Sequence, residues 1–456
     1  MTHTPKLAAL AATLAALTAG GTVQAASATL EGWALMPANT FAEGPTTGQF
    51  ATGAGGNPLP LLDKQSVQGF SAVLAGPKAG TYLFMPDNGF GAKENSADAL
   101  LRMYAVTPNF KTAAGGTGTV SAANFTTGAA MSGFTAGSYM GLSDPNNLLS
   151  IKIQADYSRY YNSAANPLVD ASIRSNRQLT GADLDIESVR KDKNGNLWFG
   201  DEFGPYLVKT NAQGVVQRRE IGMLGVLSPQ NEAVINGSAS ATLGRSNGFE
   251  GMTINPNGDR LYTLLEGTVT GDPAKTLRIN AFDVNTESYT GQQWNYKLDA
   301  AGTNIGDMTA INDHEFLIIE RNGATATGGG TPFKKIFRID LNHVDGSGNV
   351  IKSEVVDLMN IADPHDLNGD GSAAFTFPFT TIESVLILDA HTLLVANDNN
   401  YPGTGGRNLG SDNTEFLKIH LDQALNVSAV PEPGSYALLL GGLGLIGFKL
   451  RNRQRV

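Results

Sequence analysis

One unit recurs along this chain and limits its fold more than any other feature: an acid, a short apolar strand, a polar turn and a second strand rising to polar groups. It is read in "ESVRKDKNGNLWFGDE" from Glu187, "EGMTINPNGDRLYTLLE" from Glu250, "DMTAINDHEFLIIERN" from Asp307 and "ESVLILDAHTLLVANDN" from Glu383. A weaker copy, "SAVLAGPKAGTYLFMPDNG", starts at Ser71 with serine in the acid's place. Turn signals such as Asn194-Gly195 and Asn257-Gly258 divide each unit into a hairpin. Glycine supplies 54 of 456 residues, which suits many short strands joined by tight turns.

The starts at 71, 187, 250, 307 and 383 are spaced by 116, 63, 57 and 76 residues. The first interval is close to twice the others, so a degenerate unit is expected between about 100 and 186. Further strand pairs such as "YLVKTNAQGVVQRREI" follow the hairpins. Four antiparallel strands per unit, repeated, predict an all-β propeller of six blades; a seven-blade count and a sandwich with an extra domain remain alternatives. A strand over about 28–35 is placed to pair with the last blade and close the ring.

Antiparallel strands reverse direction, so the residue entering a hairpin and the residue leaving it lie at the same end. Glu187 is therefore expected beside Asp201 and Glu202, Glu250 beside Glu266, Asp307 beside Glu320 and Arg321, and Glu383 beside Asn397 and Asp398. Ser71 meets Asp87 and Asn88 in the same way. If these hairpins are the inner strands, all five clusters face one mouth of a central channel. A single acid at a strand end is an ordinary turn former; five in one register predict a site. Crowded carboxylates repel each other unless a cation sits among them. With oxygen ligands only and no cysteine in the chain, the expected ion is a hard one, calcium before magnesium. The expected metal ligands are Glu187, Asp201, Glu250, Glu266, Asp307, Glu383 and Asp398; Glu187, Glu202 and Glu250 are the candidates for catalysis, and Arg321 for substrate binding.

The ends of the chain read differently from its middle. Residues 1–25 carry Lys6, the apolar run "LAALAATLAALTAG" and small residues suited to cleavage after Ala25, the pattern of a signal peptide. Residues 429–456 give a Pro-Glu-Pro turn, an apolar stretch over about 436–448 and a basic end. Thirteen apolar residues fall below the roughly 20 needed to span a bilayer. The order of the three parts resembles the PEP-CTERM sorting signal, expected as a short C-terminal anchor helix. The resemblance implies an exosortase-type processing partner, transient inner-membrane contact and a cell-surface or extracellular product. With these ends set aside, the body at 26–428 holds 27 basic and 41 acidic residues, a net charge of −14 that repels nucleic acid.

"DIESV", "NGNLWFGDEFGPYLVKTNAQG", "GFEGMTINPNGDRLYTLLE" and "GDMTAINDHEFLIIERN" resemble the phytase-like family, whose full description is esterase-like activity of phytase. The resemblance runs from about Gln68 to His420 and implies a β-propeller that hydrolyses phosphate or other esters. Glu187, Asp201, Glu202, Glu250, Glu266, Asp307, Glu320 and Arg321 fall on its motif positions; the stretch from about Lys111 to Ala182 departs from it. The competing expectation is a non-catalytic exported propeller with structural calcium and a matrix or surface partner.

Three further signals point elsewhere. "GRSNG" sets Ser246 in a nucleophile-elbow pattern, but a strand follows it where the elbow requires a helix. "DLNGDG" at 366–371 begins like a calcium loop, yet Phe377 stands at the twelfth place instead of glutamate. The histidines at 314, 343, 365, 391 and 420 are scattered, as turn and surface residues are.

Overall fold

In the computed structural model the described residues are 27–160, 164, 167–408 and 410–428. The expected signal peptide at 1–25, and the C-terminal segment at 429–456 with its expected anchor helix, lie outside them. The described chain is almost wholly β, with two short helices at Ala171–Ser175 and Glu232–Ile235.

Five antiparallel sheet units surround one axis, the first and fifth joined through strand Ala28–Met36 into one eleven-stranded sheet. Their innermost strands are Phe70–Ala75, Ile186–Lys191, Gly251–Ile254, Asn304–Ala310 and Ile382–Asp389, each paired with the next strand of its own sheet. Each innermost strand packs on the next, and the fifth packs on the first. The ring therefore closes at five units, not six. The apolar core tells the same story, because one cluster fills each seam. Ala72 and Met85 meet Val189 and Phe199 between the first and second sheets; Trp198 meets Met252 and Phe282 between the second and third. Leu264 meets Met308 and Phe316 at the next seam, and Ile319 meets Val385 and Val395 at the fourth. Phe70 and Phe84 meet Phe416 at the last, with Phe84 and Phe416 edge to face at 5.1 Å.

The sixth unit expected between 100 and 186 is an insertion. Strand Arg102–Asn109 takes two outer partners, Thr119–Ala122 and Tyr139–Gly141, so the outer edge of the first sheet consumes chain without starting a new hairpin. Leu149, Ile153, Leu179 and Leu184 then pack into the seam between the first and second sheets. Strand Ala28–Met36 pairs along Thr414–Leu421 and completes the fifth sheet, so the beginning of the described chain closes the ring with its end.

Turn chemistry fixes the hairpins at the end of the ring away from the acids. In "DKNGN", Asp192 Oδ1 accepts from the Asn194 and Asn196 backbone N–H groups, and its Oδ2 accepts from the buried Trp198 indole at 3.0 Å. Gly195 at φ +85° supplies the left-handed residue this turn requires.

Candidate metal centre

A β-bulge interrupts the inner hairpin at the mouth in every unit but the third, where Glu250 stands just before its strand. Phe70 pairs with Pro86 and Ala72 with Met85, which leaves Ser71 unpaired; Glu187 and Glu383 stand in the same place in their strands. Bulges re-aim side chains and are common beside functional sites. Here they turn each residue towards the axis. The second strand of each hairpin delivers a partner at its mouth end: Asp87, Glu202, Glu266 and Asp398 lie just past the last pair, and Arg321 is in the last pair, opposite Asn304.

These groups meet in one cavity of about 160 Å³. Asp87, Asp185, Glu187, Glu202, Glu250, Glu266, Glu383 and Asp398 line it, with Arg321 as its one basic side chain. Glu202 is held by the Gly248 N–H at 2.8 Å. Arg321 Nη2 lies 2.6 Å from Glu383, 3.3 Å from Glu266 and 3.5 Å from Glu250. Two carboxylate triads have oxygens within 4.8 Å of one another: Asp185, Glu187 and Glu202, and Glu202, Glu250 and Glu266. Oxygens on opposite sides of a calcium ion are spaced by roughly 4.8 Å, twice a Ca–O distance of roughly 2.4 Å. Asp185 Oδ1 and Glu250 Oε1 are buried without a hydrogen-bond partner, one in each triad. An all-oxygen donor set with orphaned buried oxygens fits a hard divalent cation.

Electrostatics agree with that crowding. Burial, and then the neighbouring carboxylates Asp185, Glu250, Asp87 and Glu202, push Glu187 well above the usual carboxyl range. Burial followed by Glu266 and Asp185 does the same to Glu202. Glu383 is pushed up to about 8, chiefly by burial and against the pull of Arg321. Asp185 is raised to about 6 by burial.

The structure departs from the expected ligand set at two residues. Asp307 is not at the mouth. In the fourth unit the residue equivalent to Glu187 and Glu383 is Gly306, where a Cβ would lie 2.2 Å from the Ile382 carbonyl oxygen. Asp307 stands one residue further on and points the other way, as a one-residue shift in a strand must. It pairs with Arg190 at 2.5 Å across the channel. Asp201 does not line the cavity either: its two oxygens accept from the Asp185 and Gly204 N–H groups. Glu320, also on a motif position, faces the fourth sheet and takes Tyr296 Oη and Lys352 Nζ, both at 2.5 Å. Conversely, the reading of the sequence passed over Asp185 and gave Asp87 only as a neighbour of Ser71. Ser246 does reach the cavity wall, but no histidine lines it. In "DLNGDG", Asp370 accepts the Ser372 backbone N–H, the pattern of an Asx turn, and Asp366 accepts the Gly371 N–H five residues on.

Residues 65–401 match the phytase-like model, described as esterase-like activity of phytase. The chain belongs to the phytase-like family. Beyond the phytase-like region, residues 429–454 match the PEP-CTERM protein-sorting motif, which indicates an exported protein sorted to the cell surface. Among the described residues no helix is long and apolar enough to cross a membrane. An uncharacterized secreted protein of Arthroderma benhamiae is 29% identical over 131 residues, which are 24% of this chain and 26% of that protein. Among solved structures, a luciferin-regenerating enzyme is 10% identical at TM-score 0.35, covering 87% of this chain and 99% of its own. An exo-β-1,3-galactanase from Phanerochaete chrysosporium is 11% identical at TM-score 0.35, covering 85% and 64%. At those scores the sheet topology, not the likeness, defines the fold of the phytase-like region.

Proposed function

We propose that the protein is an exported, calcium-dependent hydrolase of phosphate or other esters, acting at the acidic mouth. One observation carries this reading: eight carboxylates and a single guanidinium share one small cavity, with two buried oxygens left unpartnered. Glu187, Glu202 and Glu250 are the catalytic candidates, with Asp185 and Glu266 completing the ligand set. A bound calcium ion would supply the positive charge that draws an anionic ester into an acidic cavity and makes a water more acidic. Glu250, pushed well upward by burial and then by Glu383 and Glu266, is suited to take a proton from a water in the cavity. The Gly248 N–H fixes Glu202 towards the same space. Arg321 orients Glu250, Glu266 and Glu383 from the opposite side.

A specific observation favours a second reading. The mouth carboxylates come from four of the five units, so a cation shared among them would tie those units together, as structural calcium in a binding protein of the cell surface would. Turnover of phosphate and carboxyl esters by the purified protein, with calcium and with chelator, separates the two. The hydrolase should lose turnover on chelation while its circular dichroism at low temperature stays unchanged. Loss of fold together with binding, and no turnover with calcium present, supports the structural reading.

The sorting motif supports removal of the tail by an exosortase-type partner. Mass spectrometry of the native protein should find a start near Ala26 and no peptide beyond Pro431-Glu432-Pro433. An intact "RNRQRV" end on most molecules would refute that processing.

A further inference from the structure

The two carboxylate triads are not equivalent, because Arg321 serves only one of them. Its Nη2 sits among Glu383, Glu266 and Glu250 and already brings positive charge to that half of the mouth. Glu266 is further satisfied by the side-chain amides of Asn304 at 2.9 Å and Asn247 at 3.2 Å. The orphaned Glu250 Oε1 is itself 3.5 Å from Arg321 Nη2, a charge contact without hydrogen-bond geometry. A cation placed in this triad would have to displace the guanidinium or lie against it.

The other half holds no guanidinium; the buried Lys93 ammonium acts on Asp185 electrostatically but does not line the cavity. Asp185, 3% exposed, keeps Oδ1 without a partner, and its oxygens gather with those of Glu187 and Glu202 within 4.8 Å. Arg321 makes no ion pair with any of these three. Its own Nε is a buried donor without a partner.

We infer that the mouth is divided between a cation and a guanidinium: a single hard divalent ion binds at Asp185, Glu187 and Glu202, while Arg321 serves as the fixed cation of the opposite half. An anionic ester, of which a phosphate group is the simplest, binds between them, with one oxygen towards the metal side and another accepting from Arg321. This assignment rests on the hydrolase reading for its substrate, but its metal half is tested without turnover.

Calorimetric titration of the full, chelator-stripped chain with calcium supplies the test. The parent should bind one calcium ion tightly. Asp185→Asn and Glu187→Gln should each weaken it at least about tenfold, the lower bound seen when even outer metal-site partners are lost. Glu266→Gln should change it by less than about threefold. Arg321→Gln vacates the opposite half and should add a second, weaker calcium ion; at calcium levels that fill only the first site, it should also abolish the uptake of inorganic phosphate shown by the parent. If Arg321→Gln does not fold, the contrast between Glu187→Gln and Glu266→Gln still decides the metal's place. A calcium site lost in Glu266→Gln and kept in Glu187→Gln overturns the division and leaves the hydrolase reading standing. Two tight calcium ions in the parent also overturn it. No calcium binding at all overturns both.

Discussion

Stripped of divalent ions, the protein should become more stable as the pH falls from 8 towards 5, by at least about 2 kcal/mol, and calcium should abolish that slope. The cause lies in the raised carboxyl groups. Asp185 is held at about 6, Asp201 at about 7 and Glu383 at about 8, in each case first by burial. Glu187, Glu250 and Glu202 are also pushed well upward, with like charges adding to burial. Between the ordinary carboxyl range and these values, the folded protein holds protons that the unfolded chain has released. Stability therefore falls as pH rises through that window, opposite to the behaviour of a carboxylate stabilised by a salt bridge. Because the groups interact, their contributions belong to the cluster and do not add residue by residue. Calcium replaces the missing protons with fixed positive charge and stabilises the folded ring by mass action. Urea unfolding at pH 5, 6.5 and 8, with chelator and with calcium, measures both slopes. A chelated protein most stable at pH 8 would show that the mouth acids are ordinary solvated groups.

The repeat was legible because two independent signals mark it, an acid before the first strand and a turn such as Asn194-Gly195 within the hairpin. The number of units was not legible, since spacing alone cannot tell a degraded hairpin from an insertion. The doubled interval between Ser71 and Glu187 holds outer strands and a segment that fills a seam, and neither carries a periodic mark. Asp185 was within reach: it stands two residues before Glu187, and strand residues two apart share a face. The misplacement of Asp307 has the same root. Apolar residues align the units as Phe70-Ser71, Ile186-Glu187, Phe249-Glu250, Ile305-Gly306 and Ile382-Glu383. Anchoring the fourth unit on its acid shifted the register by one and hid that Gly306 takes the mouth position. Arg321 then stands in the half of the mouth where the fourth unit contributes no acid of its own.

Asp307 instead makes the contact whose loss should cost most. Arg190, on the inner strand of the second sheet, reaches across the channel to Asp307 in the fourth, with Nη2 2.5 Å from Oδ1 and 2.6 Å from the Met308 carbonyl. Asp307 Oδ2 accepts from the Val385 N–H of the fifth sheet at 3.2 Å. One buried pair thus ties three sheets together below the mouth. Even beside this arginine, burial keeps Asp307 raised to about 6. Arg190→Met retains much of the apolar stem but leaves the carboxyl without its counter-charge, and breaking a buried pair from one side costs about 3–5 kcal/mol. That loss should be seen at pH 7.5 and should shrink near pH 5, where Asp307 can stay neutral in the folded state and keep its backbone hydrogen bonds. Adding Asp307→Asn to Arg190→Met removes the stranded charge and should recover part of the loss at pH 7.5. The thermal unfolding midpoints of the two variants at both pH values supply the check. If Arg190→Met loses equally at pH 5 and 7.5, and the second substitution recovers nothing, then arginine acts there through packing and its bond to the Met308 carbonyl, and the charge pair contributes little to holding the ring closed.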